Sequence, residues 1–287
     1  MERSRTHGAG AKPRVPALHV DTWRDGTGIA EATHLFKYLQ DLETPNQFLI
    51  IGAGPHCSFM FDQALLETKL PDARNSSNMK VGDLEIGDAR YGGDDHGYVK
   101  LFLNWFEYWL NSEQNHVTDM PKVQLYVMGK GWNLDDHWPL KATRFTKYFL
   151  TGDPVSPHRQ GVGMLSTSLP SGNEQDRYVY DPGSPNPTLG GGSFSSIVEA
   201  ARDQRPVEAR KDVLVYSTPP LEKPVTIAGP VEVVLYVSSS ALDADFMVKL
   251  VDVYPDGKAI NLSDDAFRVR YREGSTRKCS CSRARST

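Results

Sequence analysis

The sequence predicts an α/β unit followed by an all-β region. Three observations carry this. Residues 48–51 (FLII) and 15–20 (VPALHV) are apolar runs of strand length, the first bounded by glycines. Between them, Ile29, Ala32, Leu35, Phe36 and Leu39 recur at helical spacing. From residue 123 onward short strand-like runs alternate with turn residues, and helical periodicity is scarce. The length of 287 residues is that of two domains.

Residues 1–14 form a basic leader without apolar periodicity, and no apolar core follows it as a secretory signal would require. Residues 15–20, 29–42 and 48–51 are then strand, helix and strand. After the second strand, Gly52-Ala53-Gly54-Pro55 reads as a sharp, stiff turn that carries His56. Residues 62–95 are polar and glycine-rich and read as a long loop or lid. Residues 97–110 form a helix with a broad apolar face, Val99, Leu101, Phe102, Trp105, Phe106, Trp109 and Leu110. Strand signals follow at 123–128, 146–150, 177–180, 213–217, 225–227, 231–237, 247–253 and 267–271, with Pro255-Asp256-Gly257 as a hairpin turn. Residues 151–209 are a long Gly/Pro/Ser-rich insertion. The division is therefore a leader at 1–14, an α/β domain at 15–120, a β sandwich at 121–273 and a basic tail at 274–287.

A right-handed crossover lays the first two strands side by side and parallel, with their carboxyl ends at one edge. The acid-bearing loop Asp21–Asp25 and the histidine loop then meet. An acid and a histidine so placed are the acid–base half of a nucleophile–histidine–acid triad, in the chain order acid before histidine. Either Asp21 or Asp25 can supply the carboxylate on this geometry alone.

Trp23-Arg24-Asp25 followed by LIIGAGPHCSF resembles the motif pair of the CocE/NonD serine hydrolases, the family of cocaine esterase and X-prolyl dipeptidyl aminopeptidase. The likeness continues in order through Trp105–Leu110, Val127-Met128-Gly129, Trp132, Trp138-Pro139, Tyr180-Asp181-Pro182, Asp203-Gln204, residues 210–214, Gly229-Pro230, residues 243–246, residues 252–257 and residues 268–272. The resemblance implies Asp25 as the triad acid, His56 as the general base, and a jelly roll for the all-β region. It implies a fold built from the carboxyl-terminal remnant of an α/β-hydrolase domain followed by a jelly-roll-like sandwich.

The family nucleophile is a serine in G-x-S-x-x-G ahead of the acid. No such motif occurs in the sequence, and the one serine before Asp25 is Ser4. Gly191-Gly192-Ser193-Phe194-Ser195 lies far downstream and lacks the closing glycine. The chain thus reads as a truncated carboxyl-terminal part of a serine hydrolase acting on ester or amide bonds, inactive by itself. The alternative is a non-catalytic jelly-roll module for binding or interaction.

Other chemistry is weaker. Cys57 adjoins His56, but neighbouring side chains point apart and cannot readily exchange a proton. Asp94, Asp95 and His96 read as a solvated helix start rather than metal ligands. Asp243 and Asp245 read as turn and rim residues rather than a calcium site. Trp105, Phe106 and Trp109 at helical spacing read as core. Three cysteines, Cys57, Cys279 and Cys281, give neither a disulfide framework nor zinc spacing. No cofactor or metal is implied. A net charge of −4 carries no nucleic-acid footprint, and no apolar run reaches membrane-spanning length. The expected partner is a small ester or peptide substrate of the intact parent, with association of copies through the β sandwich also open. The compartment is not legible.

Overall fold

The computed structural model describes residues 14–26, 28–56, 58, 77–152, 162–172, 175–192 and 201–274. Residues 1–13, Cys57, much of the expected lid, parts of the 151–209 insertion including Ser193 to Ser195, and the tail with Cys279 and Cys281 lie outside them.

A four-stranded sheet forms the first half. β1 (Ala17–Arg24) pairs parallel with β2 (Gln47–Pro55), and α1 (Ile29–Asp41) is the crossover between them. The hairpin β3 (Met79–Val81) and β4 (Leu84–Gly87) follows, then α2 (Gly97–Asn111). β5 (Val123–Val127) pairs parallel with β2, and β6 (Gly131–Asp135) closes the far edge antiparallel, giving the order β1-β2-β5-β6. The strand expected at 123–128 is present, but its place is in this first sheet. Its side chains are buried throughout, which suits an inner strand and not the rim of a separate sandwich.

Both faces of the sheet are covered. On one, Leu49 and Ile51 of β2 pack with Phe36 of α1, Val123, Leu125 and Trp138. On the other, Phe48 and Ile50 pack with Tyr98, Leu101 and Trp105 of α2. This is why β2 reads as an unbroken apolar run: alternate residues serve opposite cores. α2 buries Leu101 and Trp105, while Leu103, Phe106 and Leu110 stay exposed, so Phe106 is not the core residue its spacing suggested.

The Gly-Ala-Gly-Pro segment is not a turn. β2 runs through it to Pro55, fully buried. Its glycines answer close packing: a Cβ on Gly52 would meet the Tyr98 hydroxyl at 2.6 Å, and one on Gly54 would meet the Ser58 Oγ at 1.9 Å and Met79 Cε at 2.6 Å. The expected lid is also partly structure. Met79, Val81, Leu84 and Ile86 of the β3–β4 hairpin are buried with Ala53, Tyr126, Ala201 and Ile260 in a third core. Among residues 62–95, residues 62–76 lie outside the described ones.

The second half is β-rich with few helices. β7 (Phe149–Gly152), β8 (Val162–Ser166) and β9 (Val215–Ser217) form one sheet, α3 (Arg205–Glu208) is a single turn, and β10 (Asp245–Val253) with β11 (Ala259–Arg268) forms a long hairpin over the 255–257 turn. Residues 269–271, expected to extend the last strand, form a 3-10 turn instead. The strands expected at 177–180, 225–227 and 231–237 are not formed: these stretches pair with no strand among the described residues. Tyr236 is wholly exposed, and Val231, Val233, Val234 and Val237 are exposed as well. Their β-branched composition gives the pattern, but a strand needs a neighbour to bond its backbone.

Gly54→Ala tests the close-packing account of β2. The added methyl has nowhere to go, so overpacking should cost about 1–3 kcal/mol of unfolding free energy. Chemical denaturation with an unchanged stability would contradict it.

Candidate functional site

The site is built by the register of β1 on β2. Thr22 stands opposite Gly52, and Arg24 stands opposite Pro55. Two residues of β2, Ala53 and Gly54, therefore face the single Trp23: a bulge that advances the histidine strand by one position. The Thr22 hydroxyl fixes it by donating to the Pro55 carbonyl at 2.9 Å. Asp25 and His56 each follow the last paired residues, so they emerge side by side. His56 Nδ1 lies 2.6 Å from Asp25 Oδ2. A carboxylate only accepts, so Nδ1 carries the hydrogen, and in the neutral ring Nε2 is the basic nitrogen.

Burial separates the two roles. The Asp25 side chain is 5% exposed and that of His56 is 27% exposed. Asp25 is further held by its other oxygen, which accepts the Gly28 N–H at 3.1 Å. Gly28 caps α1, so the helix's positive end favours the charged acid.

Asp21 does not reach His56 in place of Asp25. It is buried within β1, four residues before Asp25, where its Oδ1 accepts the Thr22 N–H at 2.7 Å and its Oδ2 faces the amino end of α1 near the Asp25 carboxylate. Burial, and next the neighbouring Asp25, push its pKa up to about 7, against the lowering pull of the Thr22 N–H.

Arg24, read from sequence only as part of the motif around Asp25, holds this corner. Arg24 is buried, and its guanidinium donates to the carbonyls of Asn261 at 3.1 Å and Leu262 at 2.8 Å on β11. Burial lowers its pKa to about 10, with Asp264 opposing. Asn261 in turn accepts the backbone N–H of Arg202 and a hydrogen bond from Gln204, whose Oε1 accepts from Lys249. Beside it, Gly26 packs on Gly192 so closely that a Cβ would sit 3.0 Å from the Gly192 carbonyl. The buried arginine was visible as a charge on a strand, but its partners lie 237 residues away in sequence.

The remaining candidates have structural partners. Asp94 accepts the His96 backbone N–H and pairs with Lys100, and Asp95 pairs with Arg90. Asp243 pairs with Arg270 and Asp245 with Arg268. Trp105 is core, and Trp109 lies beside it with ring centroids 5.7 Å apart and the planes tilted by 59°. Cys57 lies outside the described residues. Among the described residues no three His, Cys, Asp or Glu side chains gather as a metal site.

Comparison with known proteins bears on this arrangement. Residues 115–280 match the family of the X-Pro dipeptidyl-peptidase C-terminal non-catalytic domain. The chain belongs to that family. Its likeness to cocaine esterase of Rhodococcus sp. (strain MB1 Bresler) is 45% identity over 261 residues, covering 90% of this chain and 42% of the esterase. Two solved structures share its fold, each with a TM-score of 0.67 at 23% identity: an aminopeptidase of a marine sediment archaeon, Thaumarchaeota archaeon, and an α-amino acid ester hydrolase. They are matched over 94% of this chain and 43% and 44% of theirs. The chain thus spans less than half the length of the relatives it matches. The CocE/NonD resemblance stands, as does membership among hydrolase-family proteins. Asp25 and His56 lie ahead of the matched non-catalytic segment.

The buried acid gives a pH prediction. In the folded state Asp21 keeps its proton up to about 7, whereas its ordinary value is 3.8. The folded protein therefore binds the proton more tightly than the unfolded chain. Its contribution favours folding at acid pH and is withdrawn as pH rises from about 4 to about 7. Asp21→Asn should flatten the fall in denaturation free energy across that window relative to the parent; an identical profile would contradict the assignment.

Proposed function

We propose that this chain carries the acid–base half and the β-rich carboxyl-terminal region of a serine hydrolase that acts on ester or amide bonds. The observation that carries the reading is the 2.6 Å contact of Asp25 with His56 Nδ1, at the carboxyl ends of adjacent parallel strands. Asp25 holds the imidazole in the tautomer that leaves Nε2 basic and stabilises the imidazolium. His56 takes the nucleophile's proton during acyl transfer and returns it to the leaving group. The nucleophile comes from polypeptide outside these 287 residues, since no G-x-S-x-x-G occurs within them. The names of the relatives support an ester, an amino-acid ester or an X-Pro peptide as substrate class.

In this reading residues 15–120 are the end of an α/β-hydrolase domain, whose sheet runs on through β6. Residues 121–273 otherwise form the jelly-roll region. The unpaired apolar stretch at 231–237 is a jelly-roll strand that pairs when the sandwich is complete, and copies can associate through that same region. The word non-catalytic in the matched family's description favours a second reading, in which the β-rich region is an interaction module in its own right.

The first reading predicts no turnover by the chain alone. The roughly thousand-fold advantage over water that survives loss of a triad member comes from the oxyanion hole and substrate binding, which in this reading also lie outside the chain. Assays of the purified chain on p-nitrophenyl esters and an X-Pro anilide should give equal background for the parent and for His56→Ala. Turnover that disappears in His56→Ala would reveal a nucleophile within the chain and overturn the proposal.

A further inference from the structure

We propose that Asp21 is held as a neutral carboxylic acid that donates a hydrogen bond to Asp25, making it a positioning residue for the Asp25–His56 pair. The inference rests on the reading of that pair as an acid and a base, and it adds a third member that the triad logic does not call for.

Asp21 and Asp25 are both buried at the amino end of α1. Two charged carboxylates both accept, so a hydrogen bond between them needs a proton on one. One point, where a Cβ on Gly28 would stand, lies 2.5 Å from Asp21 Oδ2 and 3.4 Å from Asp25 Oδ2. The same point explains the glycine: a side chain there would be driven into the Asp21 carboxyl. α1 accordingly starts at Gly28 with no side-chain cap, and its first turn leaves the space to the acid pair.

The surroundings decide which acid holds the proton. Asp25 accepts from the imidazole at 2.6 Å and from the Gly28 N–H at 3.1 Å, two donors that favour its charged form. Asp21 is equally buried, and among the described residues the donor it meets is the Thr22 N–H. Among the described residues the groups facing it are Asp25, His56 and the amino end of α1. Arg24, one strand position out of phase with Trp23, turns its charge away to β11. Burial and the negative neighbour both act to keep Asp21 protonated toward neutral pH. The donated hydrogen bond fixes the plane of the Asp25 carboxylate against His56. Loss of that proton replaces the bond by repulsion between two charges.

The test uses the full chain labelled with 13C at aspartate Cγ and at histidine Cε1, followed by NMR over pH, together with Asp21→Asn and Asp21→Ala. Asparagine keeps the size and a donor but cannot titrate; alanine removes both. The Asp21 Cγ signal should titrate near 7, well above exposed aspartates, and the His56 Cε1 signal should show an inflection at the same pH. In Asp21→Asn that inflection should vanish with the ring signal otherwise in place, a change that mere loss of packing does not produce. In Asp21→Ala the ring signal should broaden as the acid loses its support; if that variant does not fold, the asparagine variant decides alone. An Asp21 signal that titrates with the exposed aspartates, or a His56 profile unchanged by Asp21→Asn, would overturn the proposal. No turnover is involved, so this result stands or falls separately from the hydrolase reading.

Discussion

The parallel pairing of β1 with β2 is the constraint on which the site depends. β2 is buried on both faces, with Leu49 and Ile51 in one core and Phe48 and Ile50 in the other. A slip of one residue would exchange the two sets and turn Asp25 and His56 out of step, so the hydrophobic pattern that stabilises the sheet also fixes the dyad. The bulge at Ala53-Gly54 adds the one-residue correction that brings His56 level with Asp25. Position 54 needs glycine because Ser58 and Met79 occupy the space that a side chain would take.

The second constraint is long-range. A buried guanidinium is costly unless its donors find acceptors; Arg24 Nη1 finds two in the backbone of β11, while its buried Nε has none among the described residues. The residue just before the acid is therefore tied to the β-rich half of the chain, and the close approach of Gly26 to Gly192 reinforces the tie. The region whose family is described as non-catalytic thus contributes contacts that hold the acid loop. In the proposed function that coupling ties the β-rich half to the loop that carries the acid.

The α/β unit was legible because its signals are local. The apolar runs and the helical spacing between them give β1, α1 and β2, and the crossover rule then places Asp25 beside His56. The glycines of β2 were misread as a turn because a glycine that accommodates Tyr98 or Ser58 looks the same in sequence as one that turns the chain. The β3–β4 hairpin was missed although Met79, Val81, Leu84 and Ile86 alternate with polar residues about Gly82-Asp83; its polar surroundings masked the pattern. The stretch at 231–237 shows the opposite error, since strand composition does not supply a neighbour. Arg24 and Asp21 could not be ranked from sequence, because their roles depend on β11 and on the amino end of α1.

The most direct measurement is the proton spectrum of the imidazole Nδ1–H of His56. A hydrogen bond of 2.6 Å to a buried carboxylate should move that resonance far downfield of an ordinary imidazole N–H and shield it from exchange with water. The account predicts one such resonance in the parent chain and its loss in Asp25→Ala with the fold retained. Absence of the resonance in the parent, or its persistence in Asp25→Ala, would contradict the claim that β1 and β2 assemble an acid–base pair.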